Sequence, residues 1–470
     1  MTTTGRKLLA KANSQTPTDR MMNWGFWVSV GCSLVLIFAV AVVSAAWAVR
    51  HTFMSGQRLS PAQQDGVMAV AAFPGTLRDA VHEVMWQFSD DPSPLLMDRA
   101  STVKPYWVKH FPEPSDTGYL LFSGVEANAR QSIVELIRIS DGKSMARWIP
   151  DWNYILSNTK VSTQGTSASI KTLRAFHPLL LPNGDIIFNT GTSLMRMNHC
   201  SRRPVWKLDN FSHHSVELDS DGNIISPSKS NLAATNLGDD SIAIITQNGS
   251  VISNDSLVTI LVDNKLSALP FGIGGRGNIN SDLIHINQVK SALTDSKYWK
   301  KGDQLISSRN LSTIFLYRPS TKKIIWLKTG PWLNQHSVDF VDNHRISIFN
   351  NNVILREPIR FLNAKGHNSV MIYDFQTGEV SEPFNLVLSE VRPSSVTEGR
   401  AQILPDGSLF IEDSNNGRMM RLTTDRLGWS FINEYKGDTL GILSWSRYLT
   451  QSEARDPLHA IETSRCVNHQ

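Results

Sequence analysis

The chain has 470 residues, 41% of them hydrophobic and 19% charged, which is ordinary for a globular protein with a sizeable core and bounds the domain count at one or two. Of its formal charge of +4, Arg6, Lys7, Lys11 and Arg20 against Asp19 supply +3 within the first twenty residues, leaving +1 for the rest. Such a near-neutral body lacks the clustered basic face of a nucleic-acid binder and excludes that class.

The basic tail (1–21) is followed by Trp24 to Val49, 26 residues without a formal charge. At about 1.5 Å per residue a helix of that length spans roughly 39 Å, enough to cross a hydrocarbon core of about 30 Å. The expectation is a transmembrane helix over 22–49, with Trp24, Trp27 and Trp47 near the interfaces. A cleavable signal peptide is the other reading, through Ala46-Trp47-Ala48, but its apolar core would be longer than usual. With the positive charge ahead of the helix, the N-terminus stays cytoplasmic and the remainder lies outside, in the periplasm of a Gram-negative cell. In that compartment Cys200 and Cys466 are free to pair, since Cys32 lies in the anchor; their spacing leaves a disulfide and two isolated thiols both open.

Residues 50–117 read as a helical neck and linker. In TLRDAVHEVMWQF (76–88), Leu77, Val81, Val84, Met85 and Phe88 recur at helical spacing. From about Gly118 short runs of Ile, Leu, Val and Phe alternate with Asn-Gly, Asp-Gly and Gly-Asp turns. A strand, polar turn and strand recur in LLLPNGDIIFN (179–189), VELDSDGNIIS (216–226), KKGDQLISS (300–308), VDFVDNHRISIF (338–349) and AQILPDGSLFIED (401–413). Outer hairpins such as FLYRPSTKKIIWL (315–327) and MIYDFQTGEV (371–380) complete four strands per unit. The anchors Gly184, Gly222, Gly302 and Asn343 fit repeats of about 40 residues, the longer interval counting as two, although 249–300 shows the repeat poorly. The expected fold is all-β, a β-propeller over 118–445 rather than a sandwich, with a C-terminal tail at 446–470.

There is no Walker loop, no GxGxxG after a strand, no HExxH, no CxxC pair and no GxSxG, so nucleotide, dinucleotide and thiol-metal chemistry lose most of their support. The histidines His177, His213, His214, His285 and His336 each stand beside the entry of a unit, and equivalent propeller positions converge on the central axis. Singly, each reads as a polar turn residue. Together they suit a metal site, with only Asp339 and Glu217 as nearby carboxylates, or an anion site in which one imidazole is a nucleophile and Arg309 a fixed planar charge.

SHHSVELDSDGN (212–223), LIHINQV (283–289), GDQLISSRNLSTIFLY (302–317), NQHSVDF (334–340) and EDSNNGRMMRL (412–422) resemble, in order and spacing, the motifs of the bacterial arylsulfotransferases. The resemblance covers about 118–440. It implies a six-bladed propeller that moves a sulfuryl group from a phenolic sulfate ester to a phenol without a nucleotide donor, a cofactor or a metal. It also implies transient sulfation of the QH histidine, here His336, with His214, His285, Asn287 and Arg309 as the remaining site residues. The family commonly carries an aspartate after the HH and QH histidines; Ser215 and Ser337 stand there in this chain. A serine steadies an imidazole tautomer less strongly than a carboxylate. The alternative is a propeller without turnover, serving as a binding or structural subunit of a membrane complex, its anchor packing through Gly25, Gly31, Ser33 and Ala39.

Overall fold

The computed structural model describes residues 30, 32–44, 46–47, 95–98, 108–109, 116–159, 171–209, 211–231, 238–272, 282–356, 360–363, 366–464 and 466. The chain divides into two compact units, Met1–Asp90 and Asp91–Gln470. In the first, residues 30, 32–44, 46 and 47 are helical and Leu34, Val35, Leu36, Ile37 and Phe38 are exposed. Among the described residues no helix is long and apolar enough to cross a membrane, and the ends of the expected 22–49 span lie outside them. The helical stretch expected over 76–88 also lies outside the described residues.

Among the described residues the second unit holds, beside a three-stranded and a two-stranded sheet, six antiparallel sheets of four or five strands. Five follow chain order from the innermost strand outward, and their innermost strands are Phe176–Leu180, Glu217–Leu218, Ile286–Ser291, Val338–Phe340 and Arg400–Ile403. The remaining sheet, first in the ring, takes its innermost strand from the far end of the chain. Arg447–Leu449 pairs with Tyr119–Glu126, in the register Leu120 to Tyr448.

The side-chain pattern shows how these sheets are arranged. Successive residues of a strand point to opposite faces, and here both faces are buried. Ile186 packs toward the first sheet, with Leu136 and Trp148, while Ile187 packs toward the third, with Ile224 and Ala243. Similar cores join third to fourth (Ile225, Ile306), fourth to fifth (Leu305, Ile348), fifth to sixth (Phe349, Leu409) and sixth back to first (Phe410, Leu120). The sheets therefore form a closed, propeller-like ring. Burial on both faces is also why the strands read as continuous apolar runs instead of alternating ones.

Three boundaries differ from the sequence reading. The long interval between Gly222 and Gly302 is one sheet step, not two: it carries the inserted helices Leu257–Asp263 and Ala268–Phe271. The 446–470 segment is no tail, because it holds the closing strand and the helix Gln451–Thr463. Within 50–117, Leu96–Asp98 and Val108–Lys109 are strands, the latter extending the sixth sheet, so the sheet unit begins earlier than Gly118.

Candidate active site

Each innermost strand is entered through an equivalent residue: His177, His214, His285, His336, Gly399 and Trp445, from the second sheet round to the first. Five of these six hold a left-handed backbone, His336 being the exception. Turning the chain sharply there brings the side chain over the channel end of the ring instead of along the strand. At Gly399 (φ +111°) a Cβ would fall 2.3 Å from the Phe349 ring, so no larger residue fits.

Three of the expected residues meet directly. The His214 ring lies 4.7 Å from His285 and 5.9 Å from His336, centroid to centroid. Arg309 follows the strand Gln304–Ser308, and its main-chain N–H donates to the His285 carbonyl at 2.9 Å. Asn287 is fully buried and donates from Nδ2 to the Gln335 carbonyl at 3.0 Å, leaving its Oδ1 without a partner. Gln335 donates from Nε2 to the Ser308 carbonyl at 2.9 Å, fastening the residue before His336 to the ISSRN strand.

The electrostatics favour an uncharged His336. Burial, then the charges of Arg309 and His285, hold it well below the usual imidazole range, against a weaker opposing influence of the main chain at Gly399 and Thr397. Neither of its ring nitrogens has a hydrogen-bond partner of ordinary geometry. His214 is likewise pushed well down, by burial and then by His285, His213 and His336. His336 is 1% exposed and forms the floor, while His214, His285 and Arg309 are half-buried and form the rim.

The carboxylates are not where the motif comparison looked for them. Ser215 Oγ accepts the Val289 N–H and Ser337 Oγ accepts the Ala401 N–H, both at 3.1 Å, so each serine bridges to the neighbouring innermost strand and not to an imidazole. Asp282 instead holds His285 Nδ1 at 2.6 Å, and Asp240 Oδ1 lies 3.2 Å from His213 Nε2. Burial raises the Asp282 carboxyl, but the hydrogen bond and charge of His285 outweigh it and leave it below its usual value. Glu217 and Asp339, the carboxylates considered for a metal, are engaged elsewhere: Glu217 with Arg447 at 2.9 Å and Asp339 with Lys290 at 2.7 Å. Among the described residues, the His/Cys/Asp/Glu group compact enough for a metal ion is His199, Cys200 and Cys466, and its two sulfurs are joined as a disulfide.

Two residues at the floor escaped the sequence reading of the site. His177 was among the histidines singled out but had no place in the motif match; its ring abuts Trp445, whose indole stands 4.4 Å from His336. The signal for Trp445 lay in alignment of the repeats: HHSVEL, QHSVDF and SWSRYL share a serine immediately after the entry residue.

The sequence matches the family Arylsulfotransferase (ASST) over residues 177–433, more than half of the chain. The chain belongs to the arylsulfotransferase family. It is thus a sulfotransferase, of a family whose substrates are phenolic sulfate donors and phenol acceptors. No curated protein matches the sulfotransferase chain. Similar solved structures include a protein of unknown function from Bacteroides caccae (11% identity, 71% of this chain and 99% of that one, TM-score 0.43). Others are a hydrazine synthase from Kuenenia stuttgartiensis (9%, 67% and 79%, TM-score 0.37) and the WD40 β-propeller domain of Doa1 (13%, 74% and 97%, TM-score 0.35).

Proposed function

We propose that this sulfotransferase is a membrane-anchored periplasmic enzyme whose six sheets are the blades of a propeller, and that it works through a sulfated His336. The observation that carries the mechanism is the convergence of His214, His285 and Arg309 on a buried, uncharged His336 with neither ring nitrogen in a hydrogen bond of ordinary geometry. Held neutral, His336 offers a nitrogen lone pair to the donor's sulfur. The N–S bond forms as the S–O bond to the aryl group breaks, and the phenolate leaves. Arg309, His214, His285 and the Asn287 amide meet the charge on the sulfuryl and leaving oxygens as preorganised donors. Asp282 fixes the orientation of the His285 ring through Nδ1, and that ring is placed to pass a proton to the leaving phenolate and to take the incoming phenol's proton. Attack by the second phenol breaks the N–S bond and restores His336, a ping-pong sequence.

The anchor reading draws support from the exposed run Leu34–Val43 and the basic tail ahead of it, and the periplasmic reading from the Cys200–Cys466 disulfide. Full-length protein should resist carbonate extraction from membranes, while a chain lacking residues 1–50 is released. The catalytic test is release of nitrophenolate from 4-nitrophenyl sulfate with phenol as acceptor. His336→Asn should lower the rate by at least about 1,000-fold, as loss of a nucleophile does. Folded wild-type protein that releases none over a range of acceptors would instead favour a binding subunit of a membrane complex.

A further inference from the structure

The motif residues surround His336 on the side of the third and fourth sheets. Its other side is closed by Trp445, the entry residue of the first sheet, which lies beyond the segment shared with the family. The indole is entirely buried between two imidazoles, perpendicular to His336 (75°) and tilted against His177. Its Nε1–H has no hydrogen-bond partner, the same is true of His177 Nδ1, and neither nitrogen of His336 has one of ordinary geometry. A buried N–H left unpaired costs about 1–3 kcal/mol, and most buried polar groups avoid that cost. Several unpaired atoms on three touching rings mark the place where a polar group arrives.

The backbone spends a buried carboxylate on keeping the indole there. Glu412 accepts the Trp445 N–H at 2.8 Å and the Ser446 N–H at 2.5 Å, and the left-handed turn at Trp445 depends on both. Glu412 is fully buried on the sixth sheet, next to the first in the ring.

We propose that Trp445 is a further catalytic residue, its indole N–H donating to an oxygen of the sulfuryl group carried at His336, and that Glu412 is the positioning residue that holds it. The inference rests on the reading of His336 as the group's carrier. A sulfuryl group presents three oxygens, each able to accept more than one hydrogen bond, so a donor at the floor adds to those on the rim.

Trp445→Phe keeps an aromatic ring but removes the donor together with part of the buried indole's volume. It should lower kcat about 100-fold with KM changed less than about threefold, as expected for a donor used in the transition state. A second measurement does not need turnover and separates the donor from the packing. In His336→Asn protein carrying 15N-tryptophan, the indole resonance missing from the Trp445→Phe spectrum should shift downfield when 4-nitrophenyl sulfate is added. Glu412→Gln should displace that resonance before any ligand is added and lower kcat at unchanged KM, with the other indole signals in place. Wild-type turnover by Trp445→Phe, or an indole resonance unmoved by the sulfate ester, overturns the proposal. If wild-type protein releases no nitrophenolate, the reading of His336 fails, and the resonance alone decides whether Trp445 contacts the sulfate.

Discussion

His177 and His336 are buried and His214 half-buried, and all three are desolvated close to further positive or imidazole groups, so none of them carries a charge without cost. Each has a folded-state pKa below the ordinary 6.5, and each therefore contributes stability that is present above about pH 6.5 and lost as the pH falls below it. Glu412 works in the opposite sense. Burial raises it to about 7, so its contribution is lost as the pH climbs from 4.5. Three histidines against one glutamate, at about 1.4 kcal/mol per group per pH unit, leave a net loss on acidification. Urea midpoints should fall steeply between pH 7 and pH 5; a flat profile would show that the imidazoles become protonated without opposing the fold. At the same scale, Arg309→Lys should cost about 10–100-fold in kcat/KM, because a point charge replaces a planar fork. Equal activity in that variant would remove the guanidinium from the mechanism. The identities of His214, His336 and Arg309 could be read from their motifs. The orphaned nitrogens and Asp282 could not, since a carboxylate three residues ahead of His285 carries no signal until the left-handed turn brings it back to the ring.

The innermost strands are short, yet they place His214, His285, Asn287 and His336, while Arg309 follows the adjacent strand Gln304–Ser308, and the serines after the entry positions show how. Ser215 and Ser337 each join one innermost strand to the next, fixing the angle between adjacent sheets at the channel end. Ser337→Ala would leave the buried Ala401 N–H unpaired, at about 1–3 kcal/mol. The expected outcome is a lower unfolding midpoint with kcat per folded molecule nearly unchanged; a large fall in kcat at unchanged stability would return Ser337 to the role of tautomer holder. The hairpins were legible because Gly and Asn mark their turns at even spacing. The helix Leu257–Asp263 was not. Its apolar residues Leu257, Val258, Ile260 and Leu261 form a run that periodicity does not separate from a strand, and only the cap, Ser256 Oγ accepting the Thr259 N–H, marks a helix start.

A ring of sheets is as stable as its closure, and here the closure is made late in the chain. The strand Arg447–Leu449 completes the first sheet, and the helix Gln451–Thr463 then lays Leu458 and Ile461 on the joint of the first and second sheets. Beyond that helix, Cys466 is bonded to Cys200 in the second sheet's outer hairpin. Asp116, toward the other end of the unit, ties the closing strand to the sixth sheet, accepting from Tyr448 Oη at 2.7 Å, Gly118 N–H at 2.8 Å and Trp429 Nε1 at 2.8 Å, with Arg421 paired beside them. Burial raises its carboxyl, but these donors outweigh that and hold it below its usual value. The seam was hidden from sequence because its partners stand at opposite ends of the chain and the closing strand has three residues. The disulfide closes a loop of 266 residues, which in the chain-entropy model stabilises by up to about 5 kcal/mol. Reductant should therefore lower the Tm of the wild type by several degrees and leave Cys200→Ser unaffected. Below both melting temperatures the two should turn over alike, because the bond lies on the outer hairpin and the site at the channel end. Loss of activity on reduction without loss of the seam would mean that the second sheet's outer edge communicates with His177, a coupling for which the structure offers no path.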